Sequence, residues 1–202
     1  MRASESAQIC FDFSENAPAA VGLWRLARTV EQSPHRRRIV ERLDLVRRHF
    51  PELDGVCVRV GLARKRGVLG WGSLDPDAPG IWVRPRKLDR FTIAHELIHL
   101  LQARGLVPRG ERPCDLWALA RSAALVDAAP NYLRLPRALR HAERLEAPWP
   151  TLLHEAARRA VEARAAGRRT YLSGFEKEIE KAWSQRTRRA LTVRPSDVSL
   201  AQ

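Results

Sequence analysis

Apolar residues change their spacing along the chain, and each change predicts a different kind of element. Residues 1–20 mix Ser, Glu, Ala and Pro without periodicity and read as a loose lead-in. In "VGLWRLARTVEQ", Leu23, Trp24, Ala27 and Val30 fall on one helical face, and Pro34 interrupts the pattern. Ile39, Leu43, Val46 and Phe50 predict a second helix, which Pro51 stops. The period then shortens to two: Val56, Val58, Val60 and Leu62 alternate with other residues, as in a half-buried strand. "RKRG" at 64–67 reads as a hairpin turn into "GVLGWGSL", and "DPDAPG" as a second turn into a third strand, "IWVRP". Three short strands joined by tight turns predict an antiparallel meander.

From about Leu88 onward the spacing is helical. The segment "FTIAHELIHLLQARG" at 91–105 is apolar nearly all round, with Phe91, Ile93, Ala94, Leu97, Ile98, Leu100 and Leu101, so it belongs in the interior. Asp89 is placed to cap its start and Gly105 to end it. Further helices are expected at about 112–125, 136–146, 150–168 and 172–189. The expected class is α+β: a small three-stranded (or slightly larger) antiparallel sheet on a buried helix, followed by a mostly helical half. The expected organisation is a single domain over 21–190, with helices at 21–51, the sheet at 55–85, a central helical pair at 88–125, helices at 136–190 and a tail at 191–202.

Composition adds a strong charge asymmetry. The net charge of +13 arises from 36 Lys+Arg against 23 Asp+Glu, and lysine occurs only at positions 65, 87, 177 and 181. Such a balance suits a polyanion such as nucleic acid, notably through Arg36–Arg38 and the 150–170 region; it equally suits a solvated, arginine-rich surface. Cys10, Cys57 and Cys114 form no C-x-x-C pair, so neither a disulfide framework nor a cysteine zinc knuckle is indicated. The start lacks an apolar targeting core and no run reaches membrane-span length, so a soluble, cytoplasmic protein without a membrane partner is expected.

Candidate chemistry lies in the apolar helix. His95 and His99 are four apart, hence on one face one turn apart, where both imidazoles can reach one ion. Neutral imidazole suits Zn²⁺, and Glu96 beside them is placed to take a proton from a zinc-bound water. An H-E-x-x-H pattern arises by chance in a chain of this length about once in a hundred. The ordinary alternative, a buried helix with satisfied histidines, must place two histidines and a glutamate among apolar neighbours, where unpaired polar groups are costly. A metal removes that cost.

A catalytic zinc needs a third protein ligand. After the 105–110 loop comes "ERPCDLWALARS", with Glu111 and Asp115 four apart and Pro113 tolerated in a first helical turn. Glu111 is assigned as the third ligand and Asp115 as acceptor for the ring N–H of a zinc histidine, the reverse assignment staying open. Acids also favour helix starts for reasons unrelated to metal.

"DRFTIAHELIHLLQ" resembles the signature of the ImmA/IrrE-type zinc metallopeptidases, whose active helix commonly reads R-F-T-I-A-H-E-L-G-H. The second segment is similar to that family's E-x-x-A-N-x-F-A helix, with Glu111, Cys114, Asp115, Trp117 and Ala118 on the matching positions, and this favours Glu111 as the ligand. The E-x-x-x-D spacing also resembles the wider gluzincin peptidases, whose aspartate orients a zinc histidine. The likeness covers about residues 80–120 and implies a minimal zincin fold, one catalytic Zn²⁺ and a peptide or protein substrate. In zincins the strand before the active helix pairs with extended substrate, which would make "IWVRP" that strand. Ile98 stands where the family has glycine, the gap from His99 to Glu111 is short, and no helix-turn-helix precedes the domain.

Peptide hydrolysis also needs a donor toward the developing oxyanion. Tyr132, Arg121, His141, His154 and Tyr171 have suitable chemistry, and Tyr132 is preferred because it follows the ligand helix closely. His154–Glu155 is not a second motif, since Arg158 holds the place of the second histidine. The expected function is zinc-dependent peptide hydrolysis with Glu96 as general base. The alternatives are a nucleic-acid-associated regulatory protein with a structural zinc, and a metal-free interaction module.

Overall fold

In the computed structural model, residues 24–63, 70–73, 75, 77–86 and 88–192 are described. The lead-in at 1–20, the "RKRG" turn and nearly all of the tail lie outside them. In chain order the elements are β1 (Trp24–Leu26), α1 (Arg28–Glu31), α2 (Arg36–Arg47), β2 (Val58–Leu62), β3 (Gly70–Gly72), β4 (Gly80–Val83), α3 (Arg90–Ala103), α4 (Glu111–Arg121), α5 (Arg137–Arg140), α6 (Trp149–Ala165) and α7 (Tyr171–Thr192). The α+β class and the helical second half agree with the sequence pattern. Among the described residues, no helix is long and apolar enough to cross a membrane.

The sheet departs from the expected meander. Its order is β1-β2-β4-β3, with β1 and β4 parallel to β2 and only β3 antiparallel to its neighbour β4. Alternation along 56–62 sorts residues between two faces, and it carries no information on the direction of the neighbouring strand. The expected helix over 21–32 is also corrected. Trp24–Leu26 pair in register with Val58–Val60, and only Arg28–Glu31 are helical. Pairing across the chain overrides local helical spacing here. The Ala27 amide donates to the Val60 carbonyl at 2.8 Å, and the Trp24 indole donates to Asp44 on α2 at 2.6 Å. Thus β1, α1, α2 and β2 form a parallel crossover, with α2 as the connection that parallel strands require.

α3 is the centre of the molecule. It packs against β3 and β4 on one side, α2 alongside and α4 on the other, with α6 behind α4 and α7 against both. Residues Phe91–Ile98 and Leu100–Gln102 are buried, as the all-round apolar pattern requires. Gly105, at φ +74°, ends the helix as expected: its amide donates to Gln102 O and the Leu106 amide to Leu101 O. The start is built differently. Asp89 occupies the cap position but its side chain makes no capping bond. Asp127 caps α3 instead, accepting from the Arg90 and Phe91 amides at 3.1 Å each.

Two later helices are shorter than their spacing suggests. Over 136–146 only Arg137–Arg140 are helical. Leu139 and Leu145 are both buried, and positions six apart fall on different faces of a helix, so a continuous helix would not bury both. α4 ends at Arg121, where Ser122 turns extended (φ −165°, ψ 142°) before a 3-10 turn over Ala123–Leu125.

Candidate metal centre

His95, Glu96 and His99 project from the middle of α3. His95 and Glu96 are only 8% and 5% exposed, and the two imidazole rings stand edge to face with centroids 4.8 Å apart. The close of α3 at Gly105 turns the chain back so that α4 packs on α3 and begins at Glu111. Glu111 Oε2 lies 3.1 Å from His95 Nε2 and 3.5 Å from His99 Nε2. Two ligands bound at 2.0–2.1 Å to one ion with tetrahedral geometry stand about 3.3 Å apart. The carboxylate therefore already sits at metal-ligand spacing from both rings.

The opposite ring edges fix the tautomers. His95 Nδ1 lies 2.7 Å from Asp115 Oδ1, a fully buried carboxylate, and so carries the proton that it donates. His99 Nδ1 lies 2.8 Å from Gln102 Oε1. The Gln102 amide nitrogen donates to Pro108 O at 2.7 Å and Gly110 O at 2.9 Å, so its oxygen faces the ring and His99 Nδ1 must donate too. In neutral rings both Nε2 atoms then present lone pairs toward a carboxylate oxygen. Three acceptors meeting at one point call for a cation between them.

The electrostatics carry the same signature. Burial alone would lower the His95 pKa, but hydrogen bonds with Asp115, Cys114 and Glu111 outweigh it and hold the imidazolium well above its ordinary range. Burial lowers His99, and the neighbouring His95 adds to that. The bond from His95 holds Glu111 below the usual carboxylate range. A proton on His95 is thus the cation that the metal-free arrangement attracts.

Cys114 also lies within 4.8 Å of the histidine nitrogens as a possible third donor. Its thiol donates to the His95 carbonyl at 3.0 Å, and burial pushes its pKa up to about 12, so metal binding there would have to displace both that bond and the proton. Glu111 has its carboxylate on the open Nε2 edges and its charge already favoured. It is the better donor.

Burial raises the Glu96 carboxyl to about 7, with Glu111 and Asp115 pushing it further up, against downward pulls from His95 and from the Gly72 backbone. Its Oε2 has no hydrogen-bond partner among the described residues. β3 crosses immediately above. A Cβ on Gly72 would stand 2.7 Å from Glu96 O and 2.8 Å from His99 Cβ, so only glycine allows this approach.

The other sequence candidates separate clearly. The ring of Tyr132 stacks on His95 with centroids 5.7 Å apart, its amide donates to Asp115 Oδ2 at 2.7 Å, and the residue is 49% exposed. Arg121 is buried in a pair with Glu52, at 2.7 and 3.0 Å, and lies over Phe50. His154 Nδ1 bonds to Leu119 O at 2.9 Å, Tyr171 packs edge-on to Trp117, and His141 is an exposed cap of α5. Arg121, His154 and Tyr171 are held in the packing between elements, and His141 is on the surface. Gln102 and Gly72 were missed in the sequence, although Gln102 stands three residues after His99 on the same face and Gly72 interrupts a strand pattern, both recognisable signals. "IWVRP" does not offer a free edge: β4 is flanked by β2 and β3, and among the described strands the edge beside α3 belongs to β3.

No family model, curated protein or solved structure matches the chain.

Proposed function

We propose that this chain is a zinc-dependent metallopeptidase of minimal zincin-like fold, in keeping with the resemblance of its active helix to the ImmA/IrrE-type enzymes. The observation that carries the proposal is the placing of Glu111 Oε2 at 3.1 and 3.5 Å from two histidine nitrogens whose other ring edges are already bonded. His95, His99 and Glu111 hold the ion. Zinc, when bound, supplies Lewis acidity that lowers the pKa of water to about 7 and polarises a carbonyl.

The protein's own residues supply the rest. Glu96, buried and with a free oxygen, accepts the proton of the attacking water and passes it to the departing amide nitrogen. Asp115 and Gln102 keep both imidazoles in the tautomer that leaves Nε2 free. Tyr132, stacked on His95 and open to solvent, is the nearest candidate donor to the developing oxyanion. β3, as the edge strand passing over Glu96, takes the role of pairing with extended substrate that "IWVRP" cannot fill.

Nucleic-acid binding draws less support. Within the basic clusters behind that reading, Arg37 pairs with Glu41, Arg158 with Glu162 and Arg159 with Glu178, which partly neutralises them.

The test is Glu96→Gln. Zinc content should stay at one equivalent while kcat on a protein substrate falls by about 10²–10⁴-fold, the usual worth of a general base. Undiminished hydrolysis by the variant would sink the mechanism, and zinc-free wild type would sink the whole reading.

A further inference from the structure

Glu111 and Tyr132 share a weakness. Glu111 is the first residue of α4, with a glycine before it that offers no side-chain cap, and its side chain is 46% exposed. Tyr132 lies on an irregular segment between helices and is half exposed. Neither position is held by helix packing, yet metal binding and catalysis require both to be held to within fractions of an ångström.

One carboxylate from the far end of the chain touches the neighbours of both. Glu176 on α7 is 9% exposed, and its Oε1 accepts from Arg112 Nη2 at 2.6 Å and from the Arg134 amide at 2.8 Å. Arg112 follows Glu111 directly, and Arg134 lies two residues beyond Tyr132. Around it, Tyr171, Phe175 and Ile179 anchor α7 through an ordinary apolar face. A buried carboxylate among them is costly unless it is paired and hydrogen-bonded, and these two donors meet that need. Asp115 already ties the Tyr132 amide to His95 on the inner side. Glu176 is its outer counterpart.

We propose that Glu176 is a positioning residue for this centre, holding the start of α4 and the Tyr132 segment in register with each other. The inference rests on the zinc reading above. It makes α7, remote in sequence and carrying no site group, a requirement for an ordered site.

Zinc affinity, measured by competition with a chromophoric chelator, should fall about tenfold or more in Glu176→Ala, with partial recovery in Glu176→Gln, which keeps an acceptor oxygen. A second readout needs neither metal nor activity. The chain has two tyrosines, so 3-fluorotyrosine labelling gives one fluorine resonance for Tyr132 and one for Tyr171. In metal-free Glu176→Ala the Tyr132 signal should move toward that of free tyrosine, while Tyr171 on α7 reports an intact helix. A folded Glu176→Ala with wild-type zinc affinity and an unmoved Tyr132 signal would overturn the proposal. Should that variant not fold, Arg112→Met, at a side chain 37% exposed, replaces it. Arg112→Met and Glu176→Gln both binding zinc as the wild type does would then overturn it. A wild type that binds no zinc fails the underlying reading instead, whereas a zinc-binding wild type indifferent to Glu176 fails this inference alone.

Discussion

His95 and Glu96 stand mid-helix in α3, buried over nearly its whole length, whereas Glu111 and Tyr132 stand at a helix start and on an irregular segment. The first pair is held by packing: Phe91, Ile93, Ala94, Leu97 and Ile98 leave the helix no freedom to rotate. The second pair is held by hydrogen bonds from side chains elsewhere, through Gln102 to the Gly110 carbonyl, Asp115 to the Tyr132 amide and Glu176 to Arg112 and Arg134. One half of the centre is thus rigid by burial and the other by wiring. Substitutions in the wiring should therefore loosen metal binding without unfolding the chain.

The sharpest break in the comparison is Glu111→Ala. It should lower zinc affinity by more than the roughly 10–100-fold that loss of a supporting partner costs, because it removes a ligand itself. Cys114→Ser should keep zinc, since the thiol is committed to the His95 carbonyl. Metal analysis of both proteins decides the ligand set. Zinc retained by the first and lost by the second would make the centre two histidines and a thiolate.

A smaller effect is expected from Gln102→Leu. The change removes the acceptor for His99 Nδ1–H and both donors to the 108–110 loop, touching the wiring of both halves at once. Zinc affinity should drop about 10–100-fold, while far-ultraviolet circular dichroism stays that of the wild type. An unchanged affinity would mean that burial alone orients the His99 ring.

What could be seen in the sequence follows the same division. The rigid half is local: five consecutive residues and the apolar pattern around them place His95, Glu96 and His99 on one buried face. Glu111 and Asp115 were visible as well, because their own i,i+4 spacing follows a short loop. The wiring was legible only in part: Gln102 stands three residues after His99, but its reach to Pro108 and Gly110 depends on where the loop returns, and nothing local ties Glu176 to Arg112, 64 positions away. The sheet failed for a related reason. Val58 and Val60 declare a buried strand, but its neighbour Trp24–Leu26 is a strand only because β2 is there to pair with it. Local patterns report burial, and long-range partners decide direction and support.

The gentlest test falls on the rigid half. Asp127, on the segment after α4, accepts the Arg90 and Phe91 amides and the Arg90 guanidinium, at 3.0–3.1 Å, and so closes the N-terminus of α3. Asp127→Ala leaves those amides without their cap, which costs about 1 kcal/mol in comparable helices. His95 begins more than one turn further on, inside the packed part of α3, so fraying at Arg90 should not reach the ligands. Denaturant unfolding should show the loss of stability, and chelator competition should return the wild-type zinc affinity. If affinity fell along with stability, α3 would be held by its ends as much as by its packing, and the contrast between the two halves of the centre would narrow.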